Sequence, residues 1–282
     1  MTAPEPEESS KGYVTRPVDR WRHGQSAHES DFIAEEVPVA MVYNGATFAV
    51  MMATPHDLDD FALGFSLSEG LINDPSQLLQ MESHALIEGI ELAIRVTDNA
   101  PGAHLDKERQ RLLPGRSGCG ICGTRDLEQA IRHGHAVGEG HPVARVALEQ
   151  ALEQLQSRQP MNAATGAVHA AAWADSEGQI LLVREDVGRH NALDKLIGAM
   201  RRAGIDAGDG MALVTSRASY EMVTKATSAG ITVLAAISAP TALAIELARS
   251  AGITLVGFTR PGTHNVYTHP DRLQPPAPPE TP

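Results

Sequence analysis

From Gln179 to Phe258, short apolar runs that suit strands alternate with runs that suit helices, and this alternation constrains the fold more than any other feature. The strand-like runs are Gln179–Arg184, Met211–Ser216, Ile231–Ser238 and Ile253–Phe258. Between them Arg189–Arg202, Ser219–Ala229 and Pro240–Ser250 carry helical periodicity. Gly230 and Gly252 each follow a helical run, where a left-handed cap favours a residue without Cβ. Alternation of this kind predicts an α/β domain whose mainly parallel sheet is covered by helices. The matching layouts of Ser216–Gly230 and Ser238–Gly252 are two successive βα units rather than a repeat array.

The preceding chain has a different rhythm. Two strand-like runs between Val37 and Met52 flank Asn44-Gly45, a pair that takes the positive φ angles of a tight hairpin. Pro55 and the acidic Asp57, Asp59 and Asp60 open a helix with Leu58, Phe61, Ala62 and Phe65 on one face. A second hairpin is predicted from Ala85 to Val96, turning at Glu88-Gly89. The expected organisation is a mobile tail over 1–29, a smaller β-rich N-terminal unit over 30–100 and a flexible loop over 101–125 punctuated by Pro and Gly. The α/β domain follows over 126–270, and a Pro-rich tail over 271–282. Helices are also expected from Thr124 through Ile131 and over Ala144–Ser157.

Composition narrows the function classes. Hydrophobic residues make up 42% but aromatics only 4%, so the core must rest on Ala, Val, Ile and Leu. A net charge of −12 lacks the cationic surplus of a general nucleic-acid binder, while leaving room for a local basic pocket. No apolar run is long enough for a transmembrane helix. The acidic, Pro-rich start lacks signal-peptide character, so a cytoplasmic protein is expected. Thiols there stay reduced, which favours a chemical role for the chain's 2 cysteines.

Both cysteines stand in Ser117-Gly118-Cys119-Gly120-Ile121-Cys122-Gly123-Thr124. The glycine shell argues against two small buried hydrophobes, because it frees the backbone and exposes the thiols. A structural zinc site needs four ligands, and neither a further cysteine nor a well-placed histidine pair exists. A dithiol redox centre and a persulfide carrier remain as equal readings. A helix starting near Thr124 would stabilise a thiolate or persulfide anion.

Three further segments lie where predicted strands end. Arg184-Glu185-Asp186-Val187-Gly188-Arg189-His190-Asn191-Ala192-Leu193-Asp194-Lys195 is either a ligand edge or a solvated loop and helix face. Thr215-Ser216-Arg217-Ala218-Ser219-Tyr220-Glu221 and Ser238-Ala239-Pro240-Thr241 read as helix caps whose free N–H groups suit phosphate. In Phe258-Thr259-Arg260-Pro261-Gly262-Thr263, Arg260 offers a fork of donors, Pro261-Gly262 a tight turn, and Phe258 with Tyr267 two rings to flank a flat ligand.

These motifs, in this order, closely resemble the formate dehydrogenase accessory sulfurtransferase family, FdhD, over about Glu36 to Arg272. The resemblance implies a large domain with the cytidine deaminase fold and a homodimer. It implies a sulfurtransferase that takes sulfur from a cysteine desulfurase as a cysteine persulfide. That sulfur passes to the bis-molybdopterin guanine dinucleotide form of the molybdenum cofactor before the cofactor enters formate dehydrogenase. Cys119 matches the persulfide carrier, Cys122 a second cysteine, and Phe258 to Thr263 the cofactor-binding segment. Ser216, Arg217, Ser238, Arg189 and His190 are expected to join that segment, and GDP to mimic the cofactor's nucleotide end. A deaminase holds zinc with His-x-Glu and Pro-Cys-x-x-Cys. Here His169-Ala170-Ala171 lacks the Glu and the cysteine motif is absent, so no zinc is expected. The alternatives are a cofactor chaperone that moves no sulfur, and a dithiol oxidoreductase that needs no nucleotide.

Overall fold

The computed structural model describes residues 11–105 and 136–274. Cys119, Cys122, the helix expected from Thr124 and most of the 101–125 loop lie outside the described residues. The chain opens with a two-stranded antiparallel ribbon of β1 (Tyr13–Arg22) and β2 (Gln25–Ala34). This corrects the tail expected over 1–29 for its described part; residues 1–10 lie outside the described residues. Its strands lack apolar alternation, but His23 and Gly24, at φ 49° and 85°, form the tight turn that sets their register.

The N-terminal unit follows as β3 (Val37–Tyr43), β4 (Ala46–Ala53), α1 (Leu58–Ser68), β5 (Leu78–Ala85) and β6 (Ile90–Val96), in sheet order β4-β3-β6-β5. Asn44 and Gly45 make the expected hairpin turn, at φ 46° and 83°. The second hairpin closes through Leu86 N–H donating to the Gly89 carbonyl at 2.8 Å. Tyr43, Phe48, Phe65 and Phe61 run edge to face between sheet and α1. This unit thus has an aromatic cluster at its centre, whereas the large domain's core is aliphatic around the single buried ring of Trp173.

After β7 (Val143–Ala144), α2 (Arg145–Ser157) and α3 (Pro160–Thr165), the large domain is built from β8 (His169–Asp175), β9 (Ile180–Asp186), α4 (Arg189–Arg202), β10 (Gly210–Val214), α5 (Tyr220–Ser228), β11 (Val233–Ala236), α6 (Ala242–Ala251), β12 (Thr254–Arg260) and β13 (Thr263–Val266). The sheet order is β13-β12-β11-β10-β8-β9. This is the expected α/β fold, with more mixed pairing than the alternation predicts. β10, β11 and β12 are parallel, whereas β8, β9 and β13 join antiparallel. β8 escaped sequence reading because Ala170-Ala171-Ala172 shows no strand propensity. Side chains alternate across the sheet. Ala212 and Val214 face α4, α5 and α6, while Met211 and Leu213 face α2. Gly230 and Gly252 hold φ 79° and 82° after their helices, as expected. The expected C-terminal tail is ordered at its start: Leu273, in β14 (Leu273–Gln274), is buried against β7.

α1 and α4 seal the two units together. A Cβ on Gly64 would stand 1.7 Å from the Asp194 carbonyl oxygen, and one on Gly198 1.9 Å from that of Asp60. Only glycine permits so close a crossing.

A polar edge of the large sheet

The segment Arg184–Lys195 splits between two environments. Most of its charged side chains turn inward onto the N-terminal unit. The Lys195 ammonium, fully buried, lies 2.7 Å from the equally buried Asp186 carboxylate and donates to the Thr54 carbonyl. Asp186 also accepts from the Thr54 and Gly188 N–H groups and from Asn191. Asp194 pairs with Lys225, which also reaches Glu69. Burial alone would pull the Lys225 ammonium down, but Asp194 and Glu69 outweigh it and hold its pKa above the ordinary value. Arg184 binds Asp60 at 2.7 Å and Asp57 at 3.4 Å. The acidic residues that open α1 thus serve these arginine contacts as well as the helix dipole. Glu185 accepts from the first N–H groups of α3, and burial still raises its pKa. Neither the ligand edge nor the solvated loop expected from sequence describes this half. It is a buried seam.

The remaining members, Arg189 and His190, face the other way, at the N-terminus of α4. His190 is 5% exposed, and its Nε2 stands 3.0 Å from a Glu221 carboxylate oxygen at the start of α5, without the alignment of a hydrogen bond. His169 enters the same edge opposite Asp186. Burial, then the neighbouring Arg189 guanidinium, hold its pKa below the ordinary imidazole value. Ser219 precedes α5 but does not cap it, and its buried hydroxyl has no partner. Thr241 does cap α6, accepting from the Ala244 N–H.

The parallel strands deliver the other expected residues to this edge. The Ser238 N–H donates to the Ser216 carbonyl and the Phe258 N–H to the Ser238 carbonyl. Ser216, Ser238 and Phe258 are therefore consecutive rungs. β12 bulges between Gly257 and Arg260, leaving Phe258 at φ 52° and 48% exposed. A positive φ costs a bulky residue strain. Thr259 turns inward and donates to the Ala236 carbonyl. Arg260 is less free than the sequence suggests, since one guanidinium nitrogen donates to the Ile237 and Thr259 carbonyls. Pro261 and Gly262 form the expected turn into Thr263, with Gly262 at φ 75°. Arg217 projects into solvent. Tyr267 packs its ring over Gly257, beside the bulge.

One edge thus gathers the N-termini of α4, α5 and α6, the cations Arg189, Arg217 and Arg260, and an exposed aromatic ring. Two of the three buried side-chain polar atoms without a hydrogen bond among the described residues lie there: Ser219 Oγ, which meets no partner, and His190 Nε2, which meets only the Glu221 carboxylate. Buried polar groups are normally satisfied, so such orphans mark a place for ligand atoms or water. Sequence motifs found most of this edge. They named Glu221 only as the end of a capping segment and His169 only as the remnant of a zinc motif; that both enter this edge is seen from Glu221 facing His190 and from β8 lying between β9 and β10.

These features define an α/β protein with an anion-adapted strand edge. The FdhD/NarQ family model matches residues 34–274, and the chain belongs to that family. It is similar to the sulfur carrier protein FdhD of Xanthomonas euvesicatoria pv. vesicatoria, at 55% identity over 97% of this chain and 96% of that one. It is also similar to the sulfur carrier protein FdhD of Cupriavidus necator, at 50% identity over the same shares. A solved structure of a candidate formate dehydrogenase accessory protein from Desulfotalea psychrophila shares the fold, with a TM-score of 0.73 at 22% identity over 93% of this chain and 99% of that one. Among the described residues no helix is long and apolar enough to cross a membrane.

Proposed function

We propose that this chain is a sulfur carrier for formate dehydrogenase maturation, working as a sulfurtransferase in the reducing cytoplasm. The Cys119 thiolate attacks the outer sulfur of a desulfurase persulfide, forming Cys119–S–SH and releasing the donor's thiolate. The bis-molybdopterin guanine dinucleotide is the acceptor substrate. Its phosphates fit the N-termini of α4, α5 and α6 beside Arg189 and Arg217, and its guanine fits against Phe258. Arg260, engaged on two carbonyls, shapes the loop and offers its remaining N–H groups. Cys122 attacks the Cys119 sulfur, so that a disulfide forms and hydrosulfide leaves; a cellular thiol restores the pair. Two copies associate.

The observation that carries this reading is the unpartnered Ser219 hydroxyl beside the buried His190–Glu221 pair, set among helix N-termini at one edge. Relatives at 50% and 55% identity, named as sulfur carriers, support the sulfur step. The test is incubation with a cysteine desulfurase and cysteine, followed by intact mass. The wild type should gain the mass of one sulfur atom and Cys119→Ala should gain none. A cofactor chaperone would show no such gain, and a dithiol oxidoreductase would turn over thiol substrates and bind no GDP.

A further inference from the structure

The β1–β2 ribbon forms a two-stranded sheet of its own. Each strand has 10 residues, so the ribbon reaches roughly 33 Å. Its root is fixed, with the Glu35 N–H donating to the Gly12 carbonyl at 2.9 Å. β2 also touches α3, and most of the ribbon's side chains are exposed. A lone two-stranded ribbon is at best marginally stable in water, so a partner that covers it explains its persistence.

The two faces differ. One carries Val14, Arg16, Val18 and Arg20 opposite Ile33, Asp31 and Glu29, and Arg20 pairs there with Glu29 and Asp31. The other carries Tyr13, Pro17 and Trp21 with Phe32. Tyr13 and Phe32 pack edge to face at 5.3 Å, and Trp21 is 70% exposed and Phe32 48%. Exposed aromatic rings on a rigid scaffold are typical interface anchors. The two ribbon edges also differ. Pro17 lacks an N–H and blunts β1, whereas β2 contains no proline and leaves its outer edge open to pairing.

We propose that this ribbon joins two copies of the chain, β2 pairing antiparallel with β2 of the second copy across a two-fold axis and Trp21 and Phe32 covered by the partner. Charge favours a second copy. The whole chain carries −12, but Tyr13–Ala34 balances Arg16, Arg20 and Arg22 against Asp19, Glu29 and Asp31. Two strongly acidic copies meet with least repulsion where each is neutral. A two-fold contact needs one self-complementary patch, which a ribbon with opposite charges along one face provides. The ribbon precedes residues 34–274, the span of the family model. The inference deepens the two-copy element of the proposed function and leaves its sulfur chemistry untouched.

Sedimentation equilibrium of the full chain tests it, with the variant Trp21→Ser/Phe32→Ser beside the wild type. Both altered positions are solvent-exposed, and matching thermal melts verify that the variant folds. The wild type should be a dimer, tightening as added salt screens the repulsion between acidic copies. The variant should dissociate at least about 100-fold more readily. A wild-type dimer with an equally tight variant overturns the ribbon as the contact while leaving the two-copy reading intact. A monomeric wild type overturns both, and sulfane sulfur on Cys119 is read independently of either.

Discussion

The seam between α1 and α4 and the edge beyond β9, β10, β11 and β12 use the same kinds of residue to opposite ends. At the seam every charge meets a counter-charge or a carbonyl: Lys195 with Asp186 and Thr54, Lys225 with Asp194 and Glu69, Arg184 with Asp60. At the edge Ser219 Oγ is buried without a partner, His190 meets Glu221 without the alignment of a hydrogen bond, Phe258 is strained, and Arg217 stands in solvent. A satisfied network holds a structure in one arrangement. An unsatisfied one keeps its binding capacity for something else. One motif feeds both regions, because α4 begins at the edge and then runs down the seam.

The contrast can be broken by mutation. Lys195→Met should have the largest effect, since it strands the buried Asp186 carboxylate; a loss of about 3–5 kcal/mol is expected, read from the urea midpoint. An unchanged midpoint would remove the seam's structural role. Gly198→Ala comes next. Its new methyl would overlap the Asp60 carbonyl, and forcing the helices apart should cost about 1–3 kcal/mol by the same measurement.

A smaller effect is expected from pH. His169 has a depressed folded-state pKa, so below about 6.5 the unfolded chain takes up a proton that the folded chain resists. Its contribution is therefore flat above that pH, and stability falls as pH drops through the window between the two values. Comparing midpoints of the wild type and His169→Asn at successive pH values should show the slope flattening there; parallel curves would contradict it. Smallest should be Ser219→Ala. Removing an orphaned hydroxyl leaves no group unpaired, so stability should move by no more than about 0.5 kcal/mol. A loss as large as that of Gly198→Ala would mean that this hydroxyl is structural after all.

Much of this was legible in the sequence, and the failures have physical causes. The hairpin at Asn44-Gly45, the helix Arg189–Arg202 and the caps at Gly230 and Gly252 follow from local turn and periodicity rules, which the structure obeys. Ser216, Ser238 and Phe258 were placed together because consecutive parallel strands bring their ends to one edge. The inward half of Arg184–Lys195 was illegible, because whether Arg184 meets water or a carboxylate depends on Asp60 in α1, 124 residues away in sequence. β8 was hidden by its alanines, and the ribbon by strands whose side chains mostly face solvent on both sides.

Calorimetric titration of GDP into the wild type and into Arg189→Ala/Arg217→Ala, with melts of both, puts the division between seam and edge to the most direct test. The account predicts that the wild type binds and that the variant loses binding by at least about tenfold, one charged contact's worth, while melting at the wild-type temperature. Equal binding by both proteins, or no binding by the wild type, would contradict it.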